Sequence, residues 1–401
     1  MMERRGQPGE HPRVSWEQVV SFRLARHHLL QRAPSSALSS VTIDMAGVQA
    51  QVLSAAGISL WARVRDLRRE DVAAALGKER TLVRAWCMRR TVHLLPSHEL
   101  SIFVRGSSRR AEKEVRWVLK QGVPGRVLQD AMDAVLGALD QPQTRSELGD
   151  RVGRSLGVPV RMREGGGWGN RTKIPWVKVG LLKLPVDYLF HLAGAYGVIC
   201  SGPSQGNQPT FVRADAWIPG WRDMPVDQAE RELLRRYLRS FGPATPKDFA
   251  FWSGMRVGDA QEVWASLGPA IVPVDMEGRK AGLLRRDLQE LRSSAFEESP
   301  PRLLPYFDSF LLGSLEKEHL VETQHKTKVF RNQGWISPVL LLGGRIHGTW
   351  THARGGKGLH VRVLPFTRLS REVPSEIQKE GRNLGRYLGL PKVEISILPT
   401  T

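Results

Sequence analysis

Residues 70–96 read EDVAAALGKERTLVRAWCMRRTVHLLP, and this stretch carries the fold expectation. Glu70 to Gly77 has helical composition, and a charged turn follows. Thr81 to Arg89 reads as a second, basic helix, and Thr91 to Pro96 alternates and ends like a short strand. Helix, turn, basic helix, strand is the order of a winged helix-turn-helix module. Upstream, Ser15 stands three residues before Gln18, the spacing of a capping box. Trp16, Val19, Val20, Leu24, Leu29 and Leu30 roughly follow a helical period until Pro34-Ser35-Ser36 breaks it. A further helix is expected from about Gln51 through Trp61 to Val64.

The theme recurs. Thr144 with Glu147 is another capping box, and Thr245-Pro246-Lys247-Asp248 opens a helix with Pro at its first position. Residues 207–219 and 271–284 alternate like wing strands after these starts. From Val329 to Phe366 the chain becomes short apolar strands. Turns are expected at Gly343-Gly344 and Arg354 to Gly358, then a helix from Pro374 to Leu388 and a last strand from Lys392 to Leu398. The expected fold is α+β: three tandem winged helix-turn-helix modules followed by a small antiparallel β-sheet or barrel. The expected divisions are a basic tail over 1–14, modules over 15–125, 126–222 and 223–298, and a β-rich domain with a helix over 299–401.

Composition narrows the function. The chain has 401 residues, 41% hydrophobic and 25% charged, which excludes a disordered or fibrous protein. Two distant cysteines, Cys87 and Cys200, exclude a disulfide scaffold and fit a reducing compartment, so a cytoplasmic location is expected. No membrane span is expected, because the apolar stretch from Leu181 to Cys200 is broken by Lys183, Pro185, Asp187 and His191. The first residues lack the apolar core of a signal peptide. The net charge is +19, with 45 Arg and 14 Lys. Arg suits bidentate contact with phosphates and guanine edges, so the excess points to nucleic acid. Residues 61–126 alone hold 16 Lys/Arg against 7 Asp/Glu. Within them Arg84, Trp86, Arg89 and Arg90 fall on or after the expected recognition helix, and Arg105, Arg109, Arg110, Lys113 and Arg116 on the next one. Such a face binds DNA with a steep salt dependence.

No metal site is expected, since no HExxH or CxxC occurs. No Walker A, Rossmann or GxSxG motif occurs either, and the Gly-rich run 164–170 reads as a hairpin tip that touches DNA. What remains is Gln49-Ala50-Gln51, two amides in an apolar stretch of roughly twenty residues. Either they cap backbone groups at a helix start, or they share one face of an extended or kinked segment and converge on something polar.

The stretch GVQAQVLSAAGISLWARV over 47–64 resembles the winged-helix DNA glycosylases of the AlkZ type, whose motif is Gln, an apolar residue and Gln, followed by Leu-Trp-x-Arg. WCMRRTVHLL over 86–95 is similar to the family's Trp-x-Met-Arg-Gly-Thr-x-His element. YLRSFGPATPKDFAFWSG over 237–254, LPYFDSFLLG over 304–313 and GRIHGTW over 344–350 resemble its later signatures, so the resemblance runs from about 15 to 390. Two positions depart from the pattern: Arg90 stands where the family has Gly, and Glu316-Lys317 where it has an Arg. The resemblance implies a monofunctional glycosylase, acting as a monomer without cofactor on double-stranded DNA carrying alkylated purines. It would release bulky N7-alkylpurines and unhook interstrand crosslinks. Gln49 and Gln51 would be catalytic, and Arg63 and His93 would join the DNA-contacting set, with a satisfied core histidine the equal alternative for His93; Asp308 reads as a buried structural carboxylate rather than a catalytic one.

The chemistry is consistent. A Gln amide has no useful pKa near neutrality, so it can orient water but neither donate nor abstract a proton as a carboxyl does. Alkylation at N7 puts a positive charge on the purine, so the base leaves neutral without prior protonation. Positioned water and a stabilised oxocarbenium-like state then suffice. A crosslinked base cannot rotate ~180° into a deep pocket, so an open basic cleft is expected. The alternative is a winged-helix DNA-binding protein or regulator without chemistry, with the amides as caps. A regulator would show a dimerisation helix of heptad character, and none is found.

Overall fold

The structure, a computed structural model, describes residues 11–165, 172–194, 199–206, 208–295, 299–356 and 358–400. These divide into two compact units. One holds the described residues of 11–69, 234–252 and 256–400; the other holds those of 70–233 and 253–255. The units cut across the module boundaries expected at 125, 222 and 298. No described helix is long and apolar enough to cross a membrane.

In the first unit Ser15 caps helix Trp16–Arg26 with the expected box: its side chain accepts from Gln18 N, and Gln18 answers its backbone N–H. The last residues of the expected tail lie in a strand. Arg13–Val14 pairs in parallel with strand Ile271–Met276, and Val14 is buried among Val19, Phe22, Val274 and Leu283. Helices Leu38–Asp44 and Leu53–Trp61 flank the Gln motif. The helix Val226–Phe241 brings the chain back from the second unit. Helices Pro246–Ser253 and Val257–Ser266 follow, then the antiparallel hairpin of Ile271–Met276 with Arg279–Leu284. Thr245 Oγ1 and the Asp248 carboxylate exchange the cap bonds of the first of these helices.

The C-terminal sheet is open and mixed, which corrects the expectation of an antiparallel sheet or barrel. Strands Arg302–Leu304, Val339–Leu342, Arg345–Gly355 and Gly358–Pro365 are antiparallel neighbours in that order. The last strand, Lys392–Ile397, lies parallel to Gly358–Pro365. The reason is the intervening helix Val373–Tyr387, which returns the chain to the sheet's starting end. A side chain at Gly385 would collide with Val393, so the glycine lets the crossover helix lie close on its strand.

In the second unit the expected basic helix Thr81 to Arg89 is absent. Leu82–Trp86 is a strand paired antiparallel with Val92–Pro96, Val83 opposite Leu95 and Ala85 opposite His93. Arg89 and Arg90 at the turn have φ of 53° and 59°, which a continuing α-helix excludes. Pairing with an apolar strand overrides the helix propensity of Leu, Arg and Ala. Helices Leu100–Gly106, Arg109–Lys120, Gly125–Gly137 and Arg145–Ser155 follow. Thr144 caps the last with the expected box. The meander of Arg161–Gly165, Thr172–Val179 and Leu182–Pro185 leads into helix Val186–Gly194. Strand Thr210–Arg213 pairs with Ile199–Ser201 and with Gln143–Thr144. The Gly-rich tip over 166–170 lies outside the described residues. The core of this unit gathers Val118, Leu128, Val135, Leu148, Val177 and Phe190.

Candidate functional site

The Gln motif is held by a scaffold in the first unit. Helix Leu38–Asp44 ends in a Schellman turn: Gly47 N donates to Thr42 O and Ala46 N to Ile43 O. Ala46 and Gly47 take left-handed φ of 52° and 87° and turn the chain into strand Val48–Gln49. The backbone stays non-helical to Val52, at φ −113° and ψ 104°. The strand ends at Gln49 and the chain bends at Gln51 and Val52, so the segment is kinked rather than helical. Val52, not a glutamine, occupies the cap of helix Leu53–Trp61. Gln49 is buried and Gln51 half-buried, on either side of the buried Ala50.

A distant segment clamps both ends of this motif. Ser309 Oγ donates to Gly47 O at 3.0 Å, before the motif. After it, Asp308 accepts from Ser59 Oγ at 2.6 Å and from the Arg63 guanidinium at 2.7 and 2.9 Å. Phe310 N, at 3.0 Å, is the carboxylate's fourth donor. Arg63 and Asp308 are both 0% exposed, and Arg63 also donates to Ser59 O. Arg63 is therefore a scaffold residue, which corrects its assignment to DNA contact: its guanidinium is spent on a buried carboxylate and has no surface to offer. Asp308, with four donors on its two oxygens, is structural as expected. Ser59 and Ser309 were missed, because nothing in local sequence links positions 250 residues apart. Lys317 plays a similar part. It is buried, donates to Leu311 O and Ser314 O, and lies over Phe251 and Phe330.

The expected basic face lies in the second unit and splits into kinds. Trp86 is on a strand, stacked on Phe211 at 5.5 Å and edge-on to His191 at 5.1 Å. His93 is buried; its Nδ1 faces Thr91 O at 3.0 Å and its Nε2 faces Arg89 Nη2 at 3.3 Å. Burial, then Arg89, push its pKa down to about 3, so the ring is neutral, Nδ1–H donates to Thr91 and Nε2 accepts from Arg89. His93 is thus the core histidine of the two readings, one that holds Arg89, and the reading as a DNA contact is corrected. Arg84 is half-buried, its pKa lowered by burial and by Arg145. Arg109 forms a bidentate pair with the buried Glu230 at 2.5 and 2.8 Å, and Arg105 pairs with Asp223. The side chain of Arg110 lies outside what is described. Trp86, Arg89 and Arg90 meet at one crevice of about 40 Å³ with Cys87, Ser108 and Glu114, too small for a nucleobase. Arg90 bonds Glu114 at 3.1 Å. Its φ of 59° explains the glycine usual here, since the position asks for a left-handed backbone. Gly254, at φ 82°, abuts the backbone of Arg89, where a side chain would sit 2.9 Å from its N and Cα.

Two of the sequence signatures are therefore bonded to each other in the first unit, and in the second Gly254 abuts the turn of a third. A glycosylase or a regulator fits such a frame, and similarity decides between them. The family described as DNA glycosylase AlkZ-like matches residues 43–387, and the chain belongs to that family. It is an enzyme of the glycosylase class. An interstrand DNA cross-link repair glycosylase of Streptomyces sahachiroi is 31% identical over 398 residues, covering 96% of this chain and 100% of its own. The solved structure of Streptomyces sahachiroi DNA glycosylase AlkZ matches with a TM-score of 0.79 at 27% identity, covering 96% of this chain and 100% of that one.

Proposed function

We propose that this glycosylase hydrolyses the N-glycosidic bond of bulky or crosslinked N7-alkylpurines in double-stranded DNA, and so unhooks interstrand crosslinks. The observation that carries this is the chemistry of the Gln segment. Two amides flank the buried Ala50, Gln49 at the end of strand Val48–Gln49 and Gln51 at the bend just after it, and Asp308, the carboxylate bonded into their scaffold, has both oxygens taken by four donors. Amides place water but supply no proton, so the substrate must bring its own activation, as a cationic N7-alkylpurine does. Gln51 orients the water and Gln49 is its partner. The crosslink repair named for the Streptomyces sahachiroi relative supports the substrate class.

DNA is held by winged-helix modules, three in our reading, in a monomer of the cytoplasm. The order of the third supports this: a helix to Phe241, a single bridge of Ala244 to Gly282, two helices, then the hairpin Ile271–Met276 with Arg279–Leu284. The test is incubation with a duplex carrying one defined N7-alkylguanine, and with a duplex crosslinked through N7, in the presence of EDTA. Abasic sites and separated strands are expected. Release of normal bases at a comparable rate, or activity that needs an added metal, would overturn the amide mechanism.

A further inference from the structure

The second unit carries a surface that neither the Gln chemistry nor the expected recognition helix explains. Strands Thr172–Val179 and Leu182–Pro185 are joined by the two residues Gly180 and Leu181. Gly180 has φ 58° and Leu181 does not share it, the mark of a type II′ turn. Such a turn asks for Gly at its first centre and makes no demand for Leu at its second. Yet Leu181 is 80% exposed, against 37–49% for the other exposed large apolar side chains. Behind it Lys178 stands directly opposite Lys183. In an antiparallel pair, like charges placed opposite destabilise the hairpin.

The tip backs onto the loop between two helices, since a side chain at Gly180 would meet Val123 and Pro124 at 3.6–3.7 Å. Residues 116–126 and 173–183 contain Arg116, Lys120, Arg126, Lys173, Lys178 and Lys183 and no acidic residue. All six are exposed, and none forms an ion pair among the described residues. The protein by itself thus holds an uncompensated cost here: a leucine in water and two facing lysines. A partner that is both polyanionic and able to take an apolar side chain removes both. Duplex DNA does so, with phosphates for the lysines and a base step for the leucine.

We infer that the hairpin tip is a DNA wedge: Leu181 inserts between stacked bases while Lys178 and Lys183 straddle the backbone phosphates. This rests on the reading of DNA as substrate, and it is tested without chemistry. Undamaged duplex carrying 2-aminopurine is titrated with wild type, Leu181→Ala and the double variant Lys178→Gln/Lys183→Gln. Wild type should raise the fluorescence by unstacking the probe. Leu181→Ala should lose that rise and bind about ten- to a hundredfold more weakly, the loss of one buried leucine, with an unchanged salt slope. The lysine variant should flatten the log–log salt slope by about two. Because these side chains are exposed, thermal unfolding should match wild type in both variants. Variants that bind and unstack like wild type, weakened binding without any unstacking signal from wild type, or a Leu181-dependent affinity for anionic vesicles with duplex affinity unchanged would each overturn the wedge. Excision of an N7-alkylguanine by wild type alongside any of these would leave the proposed function standing. Unstacking without any excision would do the reverse.

Discussion

Three buried arginines of the first unit and the basic side chains of residues 116–126 and 173–183 carry the same formal charge and do opposite things. Arg23, Arg63 and Arg302 are at most 6% exposed. Arg23 donates to Pro243 O, Arg302 to Leu29 O and Leu30 O, and Arg63 to Asp308. Burial brings Arg23 and Arg302 down to about 10, which still leaves them charged at neutral pH. These cations hold chain segments together. The exposed six of the second unit form no ion pair among the described residues. The net charge of +19 therefore does not say where a polyanion binds, and the exposed clusters, rather than the buried arginines, are where its phosphates are expected.

The comparison breaks most sharply at Asp308. Asp308→Ala strands a fully buried guanidinium and should cost about 3–5 kcal/mol of stability, read by urea unfolding. The apolar double replacement Arg63→Met/Asp308→Leu should recover most of that loss and keep duplex affinity. A double variant as stable as wild type but unable to bind DNA would return Arg63 to the DNA-contacting set. Next comes the Gln pair that this scaffold holds. Gln49→Ala/Gln51→Ala should bind damaged duplex nearly as wild type but excise about 10²–10³ more slowly, as when a preorganised transition-state contact is removed. Gln51→Asp should keep some activity. Wild-type excision by the double Ala variant would place the chemistry elsewhere.

A smaller effect separates the buried histidines from the charged ones. Burial and nearby arginines push His93 down to about 3 and His191 to about 4, from an ordinary 6.5. Above that value the folded and unfolded states are both neutral at these sites. As pH falls below it, only the unfolded state takes up the protons, so stability is lost from about pH 6.5 downward. At pH 5 the loss should be about 2 kcal/mol per histidine. Unfolding free energies at pH 7 and pH 5 test this: the difference should shrink by about that amount in His93→Gln, and an unchanged difference would show His93 to be charged in the fold. The smallest effect belongs to Arg90 and Glu114, a partly exposed pair whose loss in Glu114→Ala should cost under about 1 kcal/mol. If Arg90 is then freed for phosphate, duplex affinity at low salt should rise; a fall would make Glu114 part of the DNA surface instead.

Sequence by itself determined what depends on neighbours along the chain. The boxes at Ser15 and Thr144 are bonds over three residues, and both form. The turn at Gly343-Gly344, the hairpin over 271–284 and the helix near 374–388 follow from local preference and period, and all are present. The non-helical course of Gln49 to Gln51 was one of two open alternatives. Tertiary structure decided the rest. Leu82–Trp86 became a strand because an apolar partner strand was available to it. The last strand ran parallel because a helix intervened, and Arg13–Val14 left the tail for a sheet edge. Above all, Arg63 turned from an expected DNA contact into scaffold because its carboxylate lies 245 residues away. Side-chain pairing of that kind is set by burial, where an unpaired charge costs several kcal/mol, and burial is a property of the packed chain that no local pattern encodes.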